Sequence, residues 1–402
     1  MRILAVGSMY PPHHLGGYEL AWASAAAALR ARGHEVRVLA TDFRTGTGEP
    51  DEPDTFRELR WYWRDHDWPR ISWRGRIELE RHNAAVLDRH LRRLEPQLVT
   101  WFAMGGMSLA LIERVRRAGV PAVAFVHDDW LTYGPSVDRW TAPFRGRPRL
   151  AAMAERVTGL PAAVDLDAAV RCVFVSETVR SHARAAGYAL PGSSVAHSGI
   201  GRAFLSPRAP IDWGWRLLYV GRIDERKGVL DAVAALAQLP PEARLTLAGQ
   251  GDRRVVSEVR ALANRLGVAD RVRELGPTAR SGLADVYASA DAVVFPVRWE
   301  EPWGLVPLEA MGIGRPVVAT ARGGSGEYLL DGSNCVTVPP ADPGAIAWAV
   351  RQLAGDPDLR TRLRDGGFET ARAHTEAAWG DAVVAEVEAA AYSADVAAHH
   401  AP

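Results

Sequence analysis

The chain contains almost no lysine. Of its 48 basic residues Lys227 is the only lysine, and all the others are arginines. A bias of this kind is typical of a GC-rich bacterial coding sequence. An ammonium group is a compact point charge, whereas a guanidinium is a planar fork, so a lysine retained against the bias is a candidate for chemistry that arginine does not supply. Chance retention is the alternative.

Cysteine and excess charge are also scarce. Cys172 and Cys335 lie far apart and form no CxxC pair, which argues against a disulfide framework and a structural zinc site. A reducing cytoplasm is therefore the expected location. The 48 acidic residues balance the 48 basic ones, so the overall charge does not favour nucleic acid as a partner. Any anion must be bound by local groups.

Long hydrophobic runs are missing too. No apolar stretch reaches the roughly 18 residues that a membrane span needs. The N-terminal residues MRILAVGSMY meet Pro11 too soon to form a secretory signal. We expect no transmembrane segment, while peripheral contact with a membrane surface stays open. With 402 residues, 48% of them hydrophobic, the chain is long enough for two domains.

Short apolar runs alternate with amphipathic stretches, as in βαβ units. The first series is RILAVG, EVRVLAT, QLVTWF, PAVAFVHD and RCVFVSE, and the second is RLLYVG, ARLTLAGQGD, RVRELG, DAVVFP, PVVAT and NCVTVP. The pattern predicts two doubly wound α/β domains with parallel sheets. We place the first at 1–195, a linker rich in Gly, Pro and Ser at 196–214, the second at 215–375, and a helix with a tail at 376–402 that crosses back to the first domain.

One segment, 56–76, is rich in tryptophan and arginine. Aromatic and arginine side chains are good binding anchors, so the segment could be an acceptor or interface surface. It could equally be a loop whose tryptophans fold underneath it.

In open α/β sheets, ligands bind beyond the carboxyl ends of the strands. After the first strand, Gly16 and Gly17 can bring backbone N–H groups close to an anion at the start of a helix. The pair does not have the G-x-G-x-x-G spacing, which counts against a nicotinamide-dependent dehydrogenase. A tight turn without a ligand is the alternative for this pair.

Two cations follow the run RLLYV. Arg222 lies at the strand end and Lys227 five residues later, in GRIDERKG. Together they can neutralise a diphosphate, the arginine as a fork and the lysine as a point charge. Surface arginines near strand ends are common, so the lone lysine carries most of this prediction.

Two carboxylates follow the run DAVVFP. Gly304 gives a flexible entry to a predicted helix from Leu305 to Met311, whose N-terminal amides suit an anion. Glu309 in that helix can accept hydrogen bonds from two vicinal hydroxyls. Glu301 beside bound phosphates makes sense only if it contacts hydroxyl donors, which a sugar supplies. His127, after another strand, suits a sugar hydroxyl or a reacting oxygen, or is a hydrogen-bonded structural histidine.

The ordered set of Gly16-Gly17, His127, GRIDERKG, AGQGD and EPWGLVPLE resembles the retaining glycosyltransferases of family four. The resemblance covers nearly the whole chain. It implies the GT-B fold, in which two Rossmann-like domains face each other across a cleft. It also implies transfer of a sugar from a nucleoside-diphosphate donor to a hydroxyl acceptor, without a metal ion or other cofactor.

Roles follow from the resemblance position by position. Arg222 and Lys227 would bind and stabilise the leaving diphosphate, Glu301 would contact the sugar, and Glu309 would hold the ribose hydroxyls. His127 would lie near an outer sugar hydroxyl. The remaining donor-binding positions would be Gly16, Gly17, Gly249, Gly251, Pro277, Gly304, Leu305 and Val306.

Three DxD triplets begin at Asp65, Asp165 and Asp356, but none follows a predicted strand, and we assign them no metal. For the pair Asp128-Asp129 we favour hydrogen bonds to an acceptor or to His127. A nucleotide-sugar epimerase or hydrolase of the same fold, or a non-catalytic nucleotide-sugar binding protein, remains as the alternative. The nucleotide base, the sugar, the acceptor and the oligomeric state are not readable from the sequence.

Overall fold

The computed structural model describes residues 1–45, 48–63, 68–209 and 211–399. The chain divides into two compact units. The first consists of Met1–His197 together with Trp379–Pro402, and the second of Ser198–Ala378. Each unit contains one sheet whose strands pair in parallel, with helices between most successive strands.

The first unit contains a seven-stranded sheet. Its strands are β1 Arg2–Val6, β2 Glu35–Thr41, β3 Thr55–Leu59, β4 Leu98–Trp101, β5 Ala122–Val126, β6 Arg171–Phe174 and β7 Ser194–Val195. Its helices before residue 198 are α1 Gly17–Ala31, α2 Trp73–Leu94, α3 Ala110–Arg117, α4 Trp130–Val137, α5 Pro148–Thr158, α6 Leu166–Ala169 and α7 Glu177–Ala185.

The second unit contains a six-stranded sheet. Its strands are β8 Arg216–Val220, β9 Arg244–Ala248, β10 Val272–Gly276, β11 Ala292–Phe295, β12 Val317–Ala319 and β13 Val336–Thr337. Its helices are α8 Val229–Leu236, α9 Arg253–Arg265, α10 Arg280–Ala288, α11 Leu305–Gly312, α12 Pro343–Gly355 and α13 Pro357–Ala373. The last helix, α14 Glu376–His399, belongs to the first unit from Trp379 onward.

The strand order of each sheet defines where its ligand site should lie. The first sheet runs β3-β2-β1-β4-β5-β6-β7 and the second β10-β9-β8-β11-β12-β13. In each sheet the chain winds outward from a central pair, β1 and β4 or β8 and β11. Ligands of doubly wound sheets bind beyond the carboxyl ends of such a pair, because the two connections leave it in opposite directions and open a crevice there. The turns after β1 and β8 therefore occupy the expected positions.

The apolar runs become strands because both faces of each sheet are covered. Residues 3–6 of β1 and all of β4, β5, β11 and β12 are buried. In the first unit, Trp379 of α14 packs into the core that contains Trp22 and Phe125, and its indole N–H donates to the Ala21 carbonyl over 3.1 Å. This contact anchors the terminal helix.

The predicted linker 196–214 is not a free tether. From Ser198 onward it is part of the second unit, where Ile200 and Phe204 are buried. The Ile200 amide donates to the His374 carbonyl, and the Glu376 amide donates to the Ile200 carbonyl. The Gly, Pro and Ser composition indicated a linker, and the buried Ile200 and Phe204 with these backbone hydrogen bonds hold the segment in place.

The segment 56–76 has both buried and exposed aromatic side chains. Its first residues form most of β3, and the side chains of Trp61 and Tyr62, which follow in the same segment, are buried. Trp73, by contrast, begins α2 with about half of its surface exposed. Residues 64–67, which include the triplet beginning at Asp65, lie outside the described residues. The strands β3 and β7 were not predicted, because one is half-exposed and the other has only two residues.

The other two DxD triplets cap helices. Asp165 accepts from the Ala168 amide at the start of α6, and Asp167 accepts from the amides of Ala189 and Leu190. Asp356 accepts from the Leu359 amide at the start of α13. In the part of the chain that the structure describes, His, Cys, Asp and Glu side chains form no group of three or more suited to a metal ion.

Candidate active site

Lys227 and Glu301 meet beyond the carboxyl ends of β8 and β11. The two strands are neighbours in the sheet, so the turns that follow them lie side by side. The Lys227 Nζ is 2.6 Å from the Glu301 Oε2, and both side chains are largely buried, with 19% and 10% of their surface exposed. Two residues that are 74 positions apart in the sequence thus form one ion pair.

An aromatic ring supports this pair. The Trp299 indole N–H donates to the same Glu301 Oε2 over 2.8 Å. The Trp299 ring also lies 5.2 Å from the Lys227 Nζ and 4.9 Å from the Arg226 Cζ, which is within the range of cation–π attraction. Trp299 therefore orients both members of the ion pair.

The turn after β8 is held by further arginine contacts. Asp224 accepts from Arg226 over 2.9 Å and lies 3.4 Å from Arg222, whose side chain is 44% exposed. The Arg298 amide donates to the Arg226 carbonyl over 2.8 Å, and its guanidinium binds both oxygens of Asp231. The chain after β11 is thus tied to the turn that carries Lys227, and Arg222 keeps an accessible guanidinium beside it.

Close backbone packing explains the glycines of AGQGD. A Cβ atom on Gly249 would lie 1.9 Å from the Gly221 carbonyl oxygen, and one on Gly251 would lie 2.1 Å from the Ile223 carbonyl oxygen. The turns after β8 and β9 therefore touch through their backbones. Pro277, after β10, is exposed at the neighbouring strand end.

The loop after β11 leads into α11 as predicted. Gly304 precedes the helix with a φ of 86°, a left-handed conformation that favours glycine, and Tyr328 donates to its carbonyl. Leu305 and Val306 form the first turn and are half-buried. Since helix N-termini carry partial positive charge, this end is suited to an anion.

The Glu309 side chain in α11 is less accessible than we expected for a carboxylate that binds a ligand. It is buried, accepts from Arg280 over 2.9 Å and accepts from the Tyr287 hydroxyl over 2.8 Å. Burial raises the pKa of Glu309, although Arg280 and the hydrogen bonds oppose the rise. Each carboxylate oxygen can accept a second hydrogen bond, so the group keeps some capacity for hydroxyl donors.

In the first unit, the start of α1 adjoins His127. The Gly16 amide donates to Glu19 over 3.0 Å, and both Gly16 and Gly17 are exposed. The next residue, Tyr18, stacks on His127 with a ring separation of 4.7 Å, and Trp379 approaches the same imidazole edge-on at 4.9 Å. The structure therefore brings together the two sequence features that were predicted at this sheet.

His127 is an uncharged imidazole at neutral pH. Burial lowers its pKa from the ordinary 6.5 to about 3. Between pH 6.5 and about pH 3, His127 therefore carries a proton in the unfolded chain and none in the folded chain. Its contribution to the free energy of unfolding consequently becomes less favourable to the folded state as the pH falls through this range. At neutral pH the imidazole can donate or accept a hydrogen bond but brings no positive charge.

We expect His127→Asn to remove this pH dependence. The free energy of unfolding of the wild type should fall by up to several kcal/mol more than that of the variant between pH 7 and pH 4. Urea unfolding at the two pH values measures the difference. Burial also raises the pKa of Asp128 to about 6, which contributes a slope of the opposite sign, so the variant must be compared with the wild type at each pH. Parallel pH profiles of the two proteins would contradict a neutral, buried His127.

The pair Asp128-Asp129 has other partners than we expected. Asp128 accepts from the Tyr133 hydroxyl over 2.7 Å and from the Trp130 amide, and Asp129 lies 3.0 Å from the His182 Nδ1. These contacts hold the start of α4. We expected an acceptor or His127 as their partner and did not foresee Tyr133 and His182, which lie on α4 and α7.

Several site residues escaped the sequence analysis. Trp299 contacts Glu301 and Lys227, and Arg226 lies over the Trp299 ring. Arg280 and Tyr287 bind Glu309. Three of these four residues do not stand out from their local sequence. Only Trp299 carried a usable signal, because tryptophan is rare in a polar turn and this one lies two residues before Glu301.

Comparisons with known proteins identify the family of the chain. Residues 15–201 match the family described as Glycosyltransferase Family 4, and residues 214–356 match Glycosyl transferases group 1. A glycogen synthase from Mycobacterium tuberculosis is 30% identical over 389 residues, which cover 90% of this chain and 88% of that protein. A D-inositol 3-phosphate glycosyltransferase from Xylanimonas cellulosilytica is 39% identical over 174 residues, 43% of this chain and 41% of that protein.

Two solved structures share the fold. HepE from Anabaena, in complex with UDP and glucose, superposes with a TM-score of 0.71 at 20% identity and covers 96% of this chain and 99% of its own. Sucrose-phosphate synthase from Thermosynechococcus elongatus has a TM-score of 0.72 at 22% identity, covering 97% and 99%. Two parallel-sheet α/β domains of this kind form the GT-B fold, and the family matches together with the glycogen synthase show that the chain is a glycosyltransferase. The chain belongs to glycosyltransferase family 4.

Proposed function

We propose that the protein transfers a sugar from a nucleoside-diphosphate donor to a hydroxyl group of an acceptor, with retention of the anomeric configuration and without a metal ion. The observation that carries this proposal is the cluster of Lys227, Glu301 and Trp299 beyond β8 and β11. It unites a cation suited to a diphosphate and a carboxylate suited to sugar hydroxyls at the position where doubly wound sheets bind ligands.

The charges support a specific division of roles. When the bond between the anomeric carbon and the phosphate oxygen breaks, negative charge develops on the departing diphosphate. Lys227, Arg222 and the amides of Leu305 and Val306 are the groups that stabilise this charge, because they are positioned before the reaction begins. These groups would serve in place of a divalent cation, which is the basis for proposing metal-independent transfer.

Retention follows if the acceptor attacks from the face that the diphosphate leaves. The acceptor oxygen forms the new bond to the anomeric carbon, and the departing phosphate oxygen takes the acceptor's proton. Glu301 is poorly suited to be a nucleophile, because its Oε2 accepts from both Lys227 and Trp299. We assign it to binding a hydroxyl of the transferred sugar through Oε1, and Glu309 to the ribose hydroxyls.

The donor site is tested by calorimetry with UDP, GDP, ADP and TDP in the presence of EDTA. UDP is the first to try, since the HepE structure contains it. Tight binding of one nucleotide without metal supports the proposal and identifies the base. Binding that requires a divalent cation would contradict metal independence, and no binding at all would contradict the donor site.

Product analysis separates transfer from the rival activities. With donor and acceptor together, a glycosylated product should form with the donor's anomeric configuration. Release of free sugar regardless of acceptor would indicate a hydrolase, and an altered nucleotide sugar an epimerase.

We further propose that the protein acts in a reducing cytoplasm, where its two buried, unbonded cysteines, Cys172 and Cys335, would stay reduced.

Glu301→Gln tests the role of the carboxylate. The amide keeps the shape and one oxygen acceptor but loses the negative charge that accepts strongly from hydroxyls. We expect kcat/KM for the donor sugar to fall roughly tenfold to a hundredfold, while binding of the nucleoside diphosphate alone changes little. Steady-state kinetics and calorimetry measure the two effects. If transfer stayed at the wild-type rate, Glu301 would not contact the sugar.

A further inference from the structure

Exposed apolar side chains concentrate around α5 of the first unit. Leu150, Met153 and Val157 have 44%, 60% and 74% of their surface exposed, and Trp73 has 51%. Trp73 lies 6.0 Å, between ring centroids, from Phe144, which lies in the turn Ala142–Phe144 just before α5. Ten large hydrophobic side chains are exposed among the described residues, and four of them are Trp73, Leu150, Met153 and Val157.

The helix α5 has two apolar faces. Leu150, Met153 and Val157 follow each other at spacings of three and four residues, so they share one side of the helix. Ala151 lies on the other side and packs in a core cluster with Trp140, Leu160 and Ala162. Only the Ala151 side is needed to attach the helix to the domain. The second apolar side is therefore available for another surface.

Four exposed arginines lie beside the second side. Arg145, Arg147, Arg149 and Arg156 are all exposed, and none of them forms an ion pair with another described residue. The acidic residue of α5, Glu155, accepts instead from Arg117 over 3.0 and 3.1 Å and from the Ala162 amide. Arg149 and Arg156 lie along one edge of the apolar stripe, and Arg145 and Arg147 lie just before the helix.

We propose that this α5 surface, formed by Trp73, Leu150, Met153 and Val157 with Arg145, Arg147, Arg149 and Arg156, binds the face of an anionic membrane. A helix that carries apolar side chains between basic ones lies in the membrane interface, where the apolar groups enter the acyl region and the cations contact lipid phosphates. The exposed Trp73 also suits this interface, because its ring is amphipathic.

Charge argues against two other occupants. A second copy of the chain would place arginine against arginine across a symmetric contact, which is repulsive. A nucleic acid would satisfy the arginines but would leave the apolar stripe without a partner. An anionic bilayer satisfies both groups. This inference concerns where the protein is held and does not depend on the proposed sugar transfer.

The test is co-sedimentation of the full-length protein with vesicles of phosphatidylcholine, with and without phosphatidylglycerol. The protein should sediment with the anionic vesicles and should be released by high salt, which screens the arginines. Arg149→Gln combined with Arg156→Gln should lower the partition coefficient roughly thirtyfold, at about fivefold per lost charge. Met153→Ser combined with Val157→Ser should lower it at least tenfold.

Matched variants on the second unit serve as controls. Trp348→Ser removes a similarly exposed apolar side chain, and Arg253→Gln combined with Arg273→Gln removes two exposed charges. These variants should bind the vesicles like the wild type. Equal losses in control and α5 variants would overturn the proposal, and so would absence of binding to anionic vesicles. A dimer in sedimentation velocity that Met153→Ser with Val157→Ser abolishes would assign the surface to self-association instead.

Discussion

Lys227→Ala is expected to lower kcat for sugar transfer by about a hundredfold to a thousandfold, the cost of losing one preorganised group that stabilises a departing oxyanion. The Nζ of Lys227 contacts Glu301 and the Trp299 ring, so it is fixed at its position before a donor arrives. Its removal also leaves the largely buried Glu301 without its cation. Steady-state kinetics with a saturating donor measures the effect on kcat.

Lys227→Arg should rescue little of this activity. A guanidinium is longer and planar, so it does not fit the compact position 2.6 Å from Glu301 and above the indole. The control is Arg253→Ala, which removes an exposed cation of the same unit and should leave kcat unchanged. Full activity of Lys227→Arg would mean that the lone lysine is retained by chance. Full activity of Lys227→Ala would remove Lys227 from the mechanism.

Gly228→Ala is expected to destabilise the second unit by about 3 kcal/mol. Gly228 has a φ of 70°, and a Cβ atom there would lie 1.9 Å from the Pro296 carbonyl oxygen. Because that contact joins the turn after β8 to the chain after β11, relief of the clash must move Lys227 away from Glu301. We therefore expect transfer activity to fall as well. Urea unfolding followed by fluorescence, together with kinetics, measures both effects.

Gly355→Ala is the matched control for this variant. Gly355 ends α12 with no heavy atom within 4 Å of the added Cβ, so alanine should be neutral or stabilise by up to about 1 kcal/mol. If the urea midpoint of unfolding of Gly228→Ala equalled that of the wild type, the close approach of residue 228 to the Pro296 carbonyl would not restrain the turn.

The arrangement of strands was largely predictable from the sequence. After their first residues, Arg216 and Asp291, the runs RLLYV and DAVVF are apolar because parallel strands are covered on both faces, and that continuity marks them clearly. The helix after Gly304 was also predictable, since a glycine followed by the run LVPLEAM marks its start. Weakly buried strands such as β3 lack this signal, because half-exposed positions accept polar residues.

The functional site was predictable only where a residue type was unusual. Lys227 stood out because it is the only lysine, and Glu301 and Glu309 because carboxylates near a helix start require a reason. Arg280 and Tyr287 did not stand out, although both bind Glu309. Their partner lies more than 20 residues away in the sequence, and arginine and tyrosine are ordinary residues for a helix such as α10.

By itself, the sequence determined the two α/β sheets, the turns that carry the candidate chemistry and the absence of net charge, because these depend on local apolar patterns and composition. Only the tertiary structure decided that Lys227, Glu301 and Trp299 form one cluster, that Tyr18 and Trp379 enclose His127, and that α5 keeps a second apolar side in solvent. Such contacts depend on which strands become neighbours and which helix faces are covered, and pairings between distant segments leave no mark on the local sequence.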